Sequence, residues 1–303
     1  MSTTPLARKA WDREGRRLGR GLMALPAVIL ALVIFGPLVY SIVLSLYKWQ
    51  ITDINSGKPF VGLANYAKLF TDPKVLSAVG NTLFYVVAAV GIELVLGFII
   101  ASALFELTKG RKLANSLILL PMIIAPVITA LIWRYMFDPQ FGVISQVLGL
   151  FGVKGGIDFL GSSSLALPSL VLVDIWQWTP FVILILHAGM LGISEEQFEA
   201  ARIDGAGRWR ILRSIVIPGI APQILLVLLF RTMDTYRIFD TVYVLTRGGP
   251  GGATETIGLY TYQTGFSFFD MGYAMTLSVF ILVTVAIISG FYLRLLRRRA
   301  VFS

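Results

Sequence analysis

The chain contains no cysteine and a single histidine among its 303 residues. Disulfides and thiolate metal sites are therefore excluded, and no histidine cluster can be assembled. Charge is scarce too: 14% of residues are Asp, Glu, Lys or Arg, against about 25% in soluble proteins. Familiar catalytic motifs are missing. Gly57-Lys58 lacks the preceding glycine and the following Ser or Thr of a Walker A loop. No HExxH pair and no Gly-x-Ser-x-Gly elbow occurs. The reading is a chain with no catalytic residue and no metal site. Any uphill process it serves must draw energy from a separate ATPase or an ion gradient.

What the chain has in abundance is apolar sequence, 56% of its residues. Leu22–Leu46, Leu113–Trp133 and Met275–Leu293 are uncharged or nearly so over long stretches, and each approaches or exceeds the roughly 20 residues that cross a bilayer as a helix. The runs are continuous rather than alternating, which argues against a β-barrel. The fold class is an all-α integral membrane protein with six transmembrane helices. They are expected at Leu22–Leu46, about Ala78–Phe105, about Leu113–Met136, about Leu167–Leu191, from near Pro218, and about Tyr273–Leu296. Pro26 and Pro37 are expected to kink the first span. Its apolar run is too long for a signal-peptide core and no small-x-small site follows, so it is read as a retained helix. No internal repeat or low-complexity linker stands out, and one membrane domain is expected. It divides as a basic segment at 1–21, a six-helix domain at 22–299 and a short tail at 300–303.

The net charge of +9 is a topology signal rather than a nucleic-acid footprint. Most Lys and Arg fall in four clusters, Arg8–Arg20, Lys109–Lys112, Arg202–Arg213 and Arg294–Arg299, separated by apolar spans. The positive-inside rule then places both termini in the cytoplasm. The same clusters suit anionic lipid headgroups. Lys48–Ser77, with Lys48, Lys58, Lys68 and Lys74, is the weak point of that topology, but long translocated loops escape the charge rule. Phe137–Ala166 is rich in Gly and Ser with Lys154 as its one lysine, and Asp234–Gly272 is long, aromatic and glycine-rich, with short helices or a re-entrant stretch expected.

Between two apolar segments lies Ser194 to Pro222, amphipathic and Arg-rich. Ser194 is expected to cap a helix with Gln197 completing a capping box, and Glu195 and Glu196 suit its first turn. Gly205 should end or bend that helix, and a second helix should run from Arg208 toward Pro218. Helix, break and helix form a stiff cytoplasmic knob at 194–218. The alternative is an interfacial helix resting on lipid.

The residues Glu199-Ala200-Ala201, Asp204-Gly205-Ala206 and Ile217-Pro218 resemble the EAA loop of ABC-importer permeases. A second set narrows the resemblance to carbohydrate importers: Thr246-Arg247-Gly248-Gly249-Pro250, then Thr254, Glu255, Thr256, and Tyr260 to Phe266. Phe60-Val61-Gly62-Leu63, Asn65-Tyr66 and Trp133 to Gly142 are similar to the same group. The resemblance implies the type I ABC importer (MetI-like) permease fold and no catalysis by this chain. It implies a loop docked to an ATP-binding cassette ATPase dimer through Glu199, Ala200, Ala201 and Gly205, flanked by Arg202 and Asp204. ATP and Mg would sit on those ATPase subunits. It further implies a second permease subunit, an extracytoplasmic solute-binding protein and a sugar or polyol cargo, in the bacterial cytoplasmic (inner) membrane. The large insertion and extra N-terminal spans of the enterobacterial maltose permease subunit are absent.

Polar groups inside spans are costly and tend to face cavities or partners. Asn81, Glu93, Asp174, Gln177, His187, Gln223, Arg231 and Asp234 are the candidates. Asp174, Trp176, Gln177, Trp178 and Tyr236 have the hydrogen-bonding and aromatic character that holds sugars, although Trp and Tyr also anchor at bilayer edges. Asp174, Gln177, Trp178, Arg231, Asp234 and Tyr236 are taken as the substrate path. Arg231 and Asp234, three residues apart, can pair with each other. Glu93 is expected to hydrogen-bond between helices, and His187 to be a satisfied packing residue. Pro121, Pro126, Pro180 and Gly189 are placed to bend helices around a cavity. The rival reading, an ion-coupled secondary transporter of small polar solutes, calls for inverted repeats and paired broken helices, neither of which is evident, and has no use for the loop.

Overall fold

A computed structural model describes residues 5–53, 57–107, 109–152 and 156–300. Lys154 and the tail beyond residue 300 lie outside them. Among the described residues, four helices are long and apolar enough to cross a membrane singly, and the number reaches six where each of two bent helix pairs counts as one span. The first crossing is α1 (Pro5–Leu44), which holds Pro26 and Pro37 inside one continuous helix. Its apolar part, Pro26–Leu44, is almost wholly exposed, as a lipid-facing helix must be. A short α2 (Ala64–Leu69) follows, and then the long α3 (Pro73–Glu106). Asp72 and Pro73 start α3 as the ordinary rules prescribe: the Asp72 carboxylate accepts from the Lys74 N–H at 3.0 Å, and proline takes the first helical position.

The third expected span is broken. α4 (Arg111–Ile123) and α5 (Pro126–Met136) meet at 92°, because Pro126 cannot donate to the preceding turn and pushes Ala125 into extended backbone. α6 (Val143–Leu150) lies in the loop beyond. α7 (Ala166–Leu191) is the central helix, with two thirds of its most apolar window buried. It packs along α3, α4, α5 and α11.

Next comes α8 (Glu195–Ile203). A further helix, Arg208–Gly219, is made of α9 (Arg208–Ile211), a π-helical turn at Leu212–Val216 and α10 (Ile217–Gly219). A 63° bend separates it from α11 (Ala221–Tyr236). Two short helices, α12 (Asp240–Leu245) and α13 (Ile257–Tyr262), occupy the following loop before α14 (Met271–Ala300).

Small residues on α3 let α7 approach closely. A Cβ on Gly97 would lie 2.5 Å from Cγ1 of Val182, and Ala89 and Ala101, clustered with α7 residues, are fully buried. This is the packing expected where lipid offers no hydrophobic drive and van der Waals fit must hold helices together.

Candidate functional site

One charged side chain organises the bundle. Arg231, on α11, is 2% exposed. Its Nε donates to Glu93 Oε2 at 2.7 Å and its Nη2 to Glu93 Oε1 at 2.8 Å. Nη2 also donates to Asp174 Oδ2 at 2.6 Å, and Nη1 to Asp234 Oδ2 at 3.1 Å. The Trp178 ring lies 5.1 Å from the guanidinium carbon, within cation–π range. The local pair Arg231–Asp234 is present, but it is the outermost edge of a knot joining α3, α7 and α11. Glu93 and Asp174 are as buried as the arginine, whereas the Asp234 side chain is 53% exposed.

That exposure matters because Asp234 borders an open cleft of about 280 Å³ shared with Trp178, Arg237, Phe239 and Asp240. The cleft offers carboxylates, a guanidinium and aromatic faces, the chemistry that grips polyhydroxylated solutes. The remaining residues assigned to a substrate path separate in space. Gln177 donates its amide to the Ile124 carbonyl at 2.9 Å and thereby covers the break between α4 and α5. Tyr236 points the other way, 2% exposed in a core with Ile257, Tyr260, Tyr273 and Leu277. The structure thus brings Asp174, Trp178, Arg231 and Asp234 together, but of the six only Trp178 and Asp234 line the cleft, while Asp174 and Arg231 are buried behind it and Gln177 and Tyr236 lie elsewhere. His187 is buried, yet its Nε2 has no hydrogen-bond partner. The expectation of a satisfied histidine is corrected at that nitrogen among the described residues.

At the opposite end from the α8 loop, three polar ties fix the connections. Asn65 donates to the carbonyls of Ser45 and Tyr47, at 2.9 and 3.1 Å. Asn81 donates to those of Gly252 and Glu255, at 3.1 and 3.0 Å. The Tyr260 and Tyr273 hydroxyls both donate to Asp72 Oδ2, at 2.8 and 2.9 Å. Burial would raise the Asp72 pKa, but these bonds, the Lys74 N–H and the nearby Lys68 charge outweigh it and hold the carboxyl below its usual range. Sequence reasoning passed over Asp72, though Asp-Pro at a helix start was a readable signal.

The loop at 194–218 is a helical hairpin. Ser194 stands at the N-cap, but its hydroxyl makes no capping bond, so the expected capping box is corrected to a bare cap in which Gln197 N–H donates to the Ser194 carbonyl at 3.2 Å. The C-terminal end of α8 is strongly specified. Gly205 has φ +71°, its N–H reaches the Arg202 carbonyl at 3.1 Å, and the Ala206 N–H reaches that of Ala201 at 2.9 Å. Together these bonds form a Schellman motif, for which glycine at the left-handed position is the natural residue. Phe198 is buried and meets Phe105 of α3 at 5.7 Å between ring centroids. Glu199, Ala200, Arg202, Asp204 and Gly205 are exposed and Ala201 half-buried. Ile203 is 86% and Trp209 72% exposed. One face of the hairpin is therefore anchored on the bundle, and the other presents an alanine surface rimmed by charge and two bare apolar side chains.

Comparison with known proteins shows the family. Residues 93–301 match the family described as "Binding-protein-dependent transport system inner membrane component". A probable ABC transporter permease protein of Sinorhizobium fredii is 35% identical, covering 91% of this chain and 90% of that protein. The trehalose/maltose transport system permease protein of Thermococcus litoralis is 34% identical over 92% of this chain and 93% of its own. The trehalose transport system permease protein of Mycobacterium tuberculosis (strain H37Rv) is 32% identical over 97% and 93%. In fold, the chain superposes on a chain of a bacterial ABC transporter involved in the import of the acidic polysaccharide alginate, with TM-score 0.81 and 23% identity over 96% of this chain and 99% of that one. The chain belongs to the binding-protein-dependent transport system inner membrane components, as a multi-pass, non-catalytic permease subunit of an ABC importer.

Proposed function

We propose that this subunit forms half of the translocation pathway of a sugar importer and takes its mechanical input through the hairpin at 194–218. The observation that carries the reading is the hairpin's two-sidedness. Phe198 anchors it on α3 while Ile203 and Trp209 stand bare beside Glu199, Ala200 and Ala201. Exposed apolar residues rimmed by charge mark a docking surface, and stiff helices transmit displacement where a loop would absorb it. The partner there is an ATP-binding cassette ATPase dimer carrying ATP and Mg, with Glu199, Ala200, Ala201, Arg202, Asp204 and Gly205 at the contact. This chain itself takes no cofactor. A second, homologous permease subunit completes the pathway, and an extracytoplasmic solute-binding protein delivers the cargo. The family's description, binding-protein-dependent transport, supports the last partner. The clustering of Lys and Arg supports a cytoplasmic position for both termini and the hairpin in a bacterial cell.

A carbohydrate cargo is supported by relatives named for trehalose, for trehalose/maltose and for sulfoquinovosyl glycerol, and by the Trp178–Asp234 cleft. The test is uptake into proteoliposomes containing this chain with its cognate permease, ATPase and receptor. Radiolabelled trehalose or maltose should enter only with internal ATP and receptor, and Gly205→Val should abolish uptake while leaving receptor binding of sugar intact. Uptake driven by an ion gradient without ATPase would overturn the reading. A thermal-shift screen of the receptor against trehalose, maltose and polyols identifies the cargo independently.

A further inference from the structure

A cavity of about 490 Å³ lies beneath the hairpin, where the C-terminal ends of α3 and α7 meet the start of the Arg208–Gly219 helix. Its size is that of pockets that hold small ligands, about 300–1,000 Å³. The coupling reading shares only Phe198 and Arg202 with it: Ile203 and Trp209, the bare side chains of the docking face, are not among its lining residues. Its walls are apolar, formed chiefly by Phe105, Met190, Phe198 and Leu212. Its rim is charged and unbalanced, with Arg202 and Arg208 against one carboxylate, Glu106.

Two further observations fix the sign of the ligand. Gly207 and Arg208 line the cavity, so the N-terminal end of the Arg208–Gly219 helix opens onto it. The N-cap there is Gly207, which has no side chain to accept from the first-turn N–H groups. A helix N-terminus without a capping carboxylate or hydroxyl favours an anion. In addition, Arg111 sits beside the same wall, its Nη2 donating to the Phe105 carbonyl at 2.9 Å, and Lys109 and Lys112 flank it in sequence. The cavity therefore combines an apolar slot with a cationic mouth, and it lies at the level where transmembrane helices end. That is the place of a lipid headgroup and the first carbons of its chain.

We propose that this cavity is a binding site for an anionic phospholipid of the adjoining leaflet. The phosphate lies against Arg202, Arg208 and the helix N-terminus, and an acyl chain fills the slot beside Phe105 and Phe198. A lipid seated there would prop the hairpin from its membrane side while a protein partner loads it from the other. Coupling would then depend on membrane composition. The site concerns this chain and a lipid, so it stands or falls independently of what the transporter carries.

The test is native mass spectrometry of the full-length chain, in its assembled complex, released from nanodiscs of phosphatidylcholine with graded phosphatidylglycerol. Wild type should retain phosphatidylglycerol in preference to phosphatidylcholine with saturable stoichiometry. Arg208→Gln should weaken retention about five-fold, the effect of removing one guanidinium near a phosphate. Arg208→Lys should restore most of it. Arg210→Gln, an exposed arginine on the same helix that does not line the cavity, should leave retention unchanged. Melting temperature of each variant separates lost binding from lost folding. If Arg210→Gln and Arg208→Gln reduce retention equally, the effect is diffuse surface charge and the proposal fails. It fails also if retention does not discriminate the two lipids, or if millimolar inorganic phosphate displaces the lipid fully, since the apolar slot then contributes nothing.

Discussion

Arg231 is the residue on which most depends. A buried guanidinium with two buried carboxylates is tolerable only while all partners are present, because each isolated charge in a low-dielectric interior is costly. Arg231→Met should destabilise the purified protein in detergent by about 3–5 kcal/mol. Combining it with Glu93→Gln and Asp174→Asn should recover much of that loss, because no unpaired charge is then left behind. Asp234→Asn, at the exposed edge, should cost no more than about 1 kcal/mol. Thermal unfolding of the four proteins checks the order, and equal losses for Arg231→Met and the triple variant would refute it. Only one edge of this knot could be read from sequence. Arg231 and Asp234 are neighbours on a helix turn, while Glu93 and Asp174 lie 138 and 57 residues away from the arginine, at separations where no periodicity speaks. Asp72 gives a pH prediction. Its carboxyl is held below the unfolded value of about 3.9, so its stabilisation is complete above that pH and lost as pH falls through the folded value. Asp72→Asn should lower the melting temperature at neutral pH and flatten the acid limb of a stability–pH curve.

At the level of elements, glycines separate two kinds of constraint. Gly205 has open space where a Cβ would go, so substitution there is opposed by backbone conformation alone, by about 1–2 kcal/mol for a non-glycine residue in the left-handed region. Gly205→Asn should therefore retain more ATPase on co-purification than Gly205→Val. Gly97 is the reverse: its backbone is ordinary helix, but α7 leaves no room. Gly97→Leu should cost about 1–3 kcal/mol by overpacking, with little change for a substitution to leucine at the exposed Gly91, read by thermal unfolding. The position of Gly205 was legible because a helix stop follows a short charged helix whatever the fold. The tightness at Gly97 was not, since it depends on Val182, which only the packing of α3 against α7 places there.

For the molecule as a whole, the absence of cysteine permits a clean topology experiment. Single cysteines at Glu196 and at Ser162 should be labelled by a membrane-impermeant maleimide from opposite faces of the bilayer. Labelling of both from the same face would refute the six-crossing arrangement. The crossings were legible because bilayer thickness imposes a length that composition reveals, and four of them are single helices. The 92° break in the third was visible only as a pair of prolines, Pro121 and Pro126, with nothing to say which would act or how sharply. That break divides allegiance. α4 packs on α7, whereas α5 packs chiefly on α12, and no unbroken backbone helix connects the two halves. The third apolar stretch thus packs as two pieces, joined at Ile124–Ala125. The Gln177 amide, donating to the Ile124 carbonyl, fastens that joint to α7.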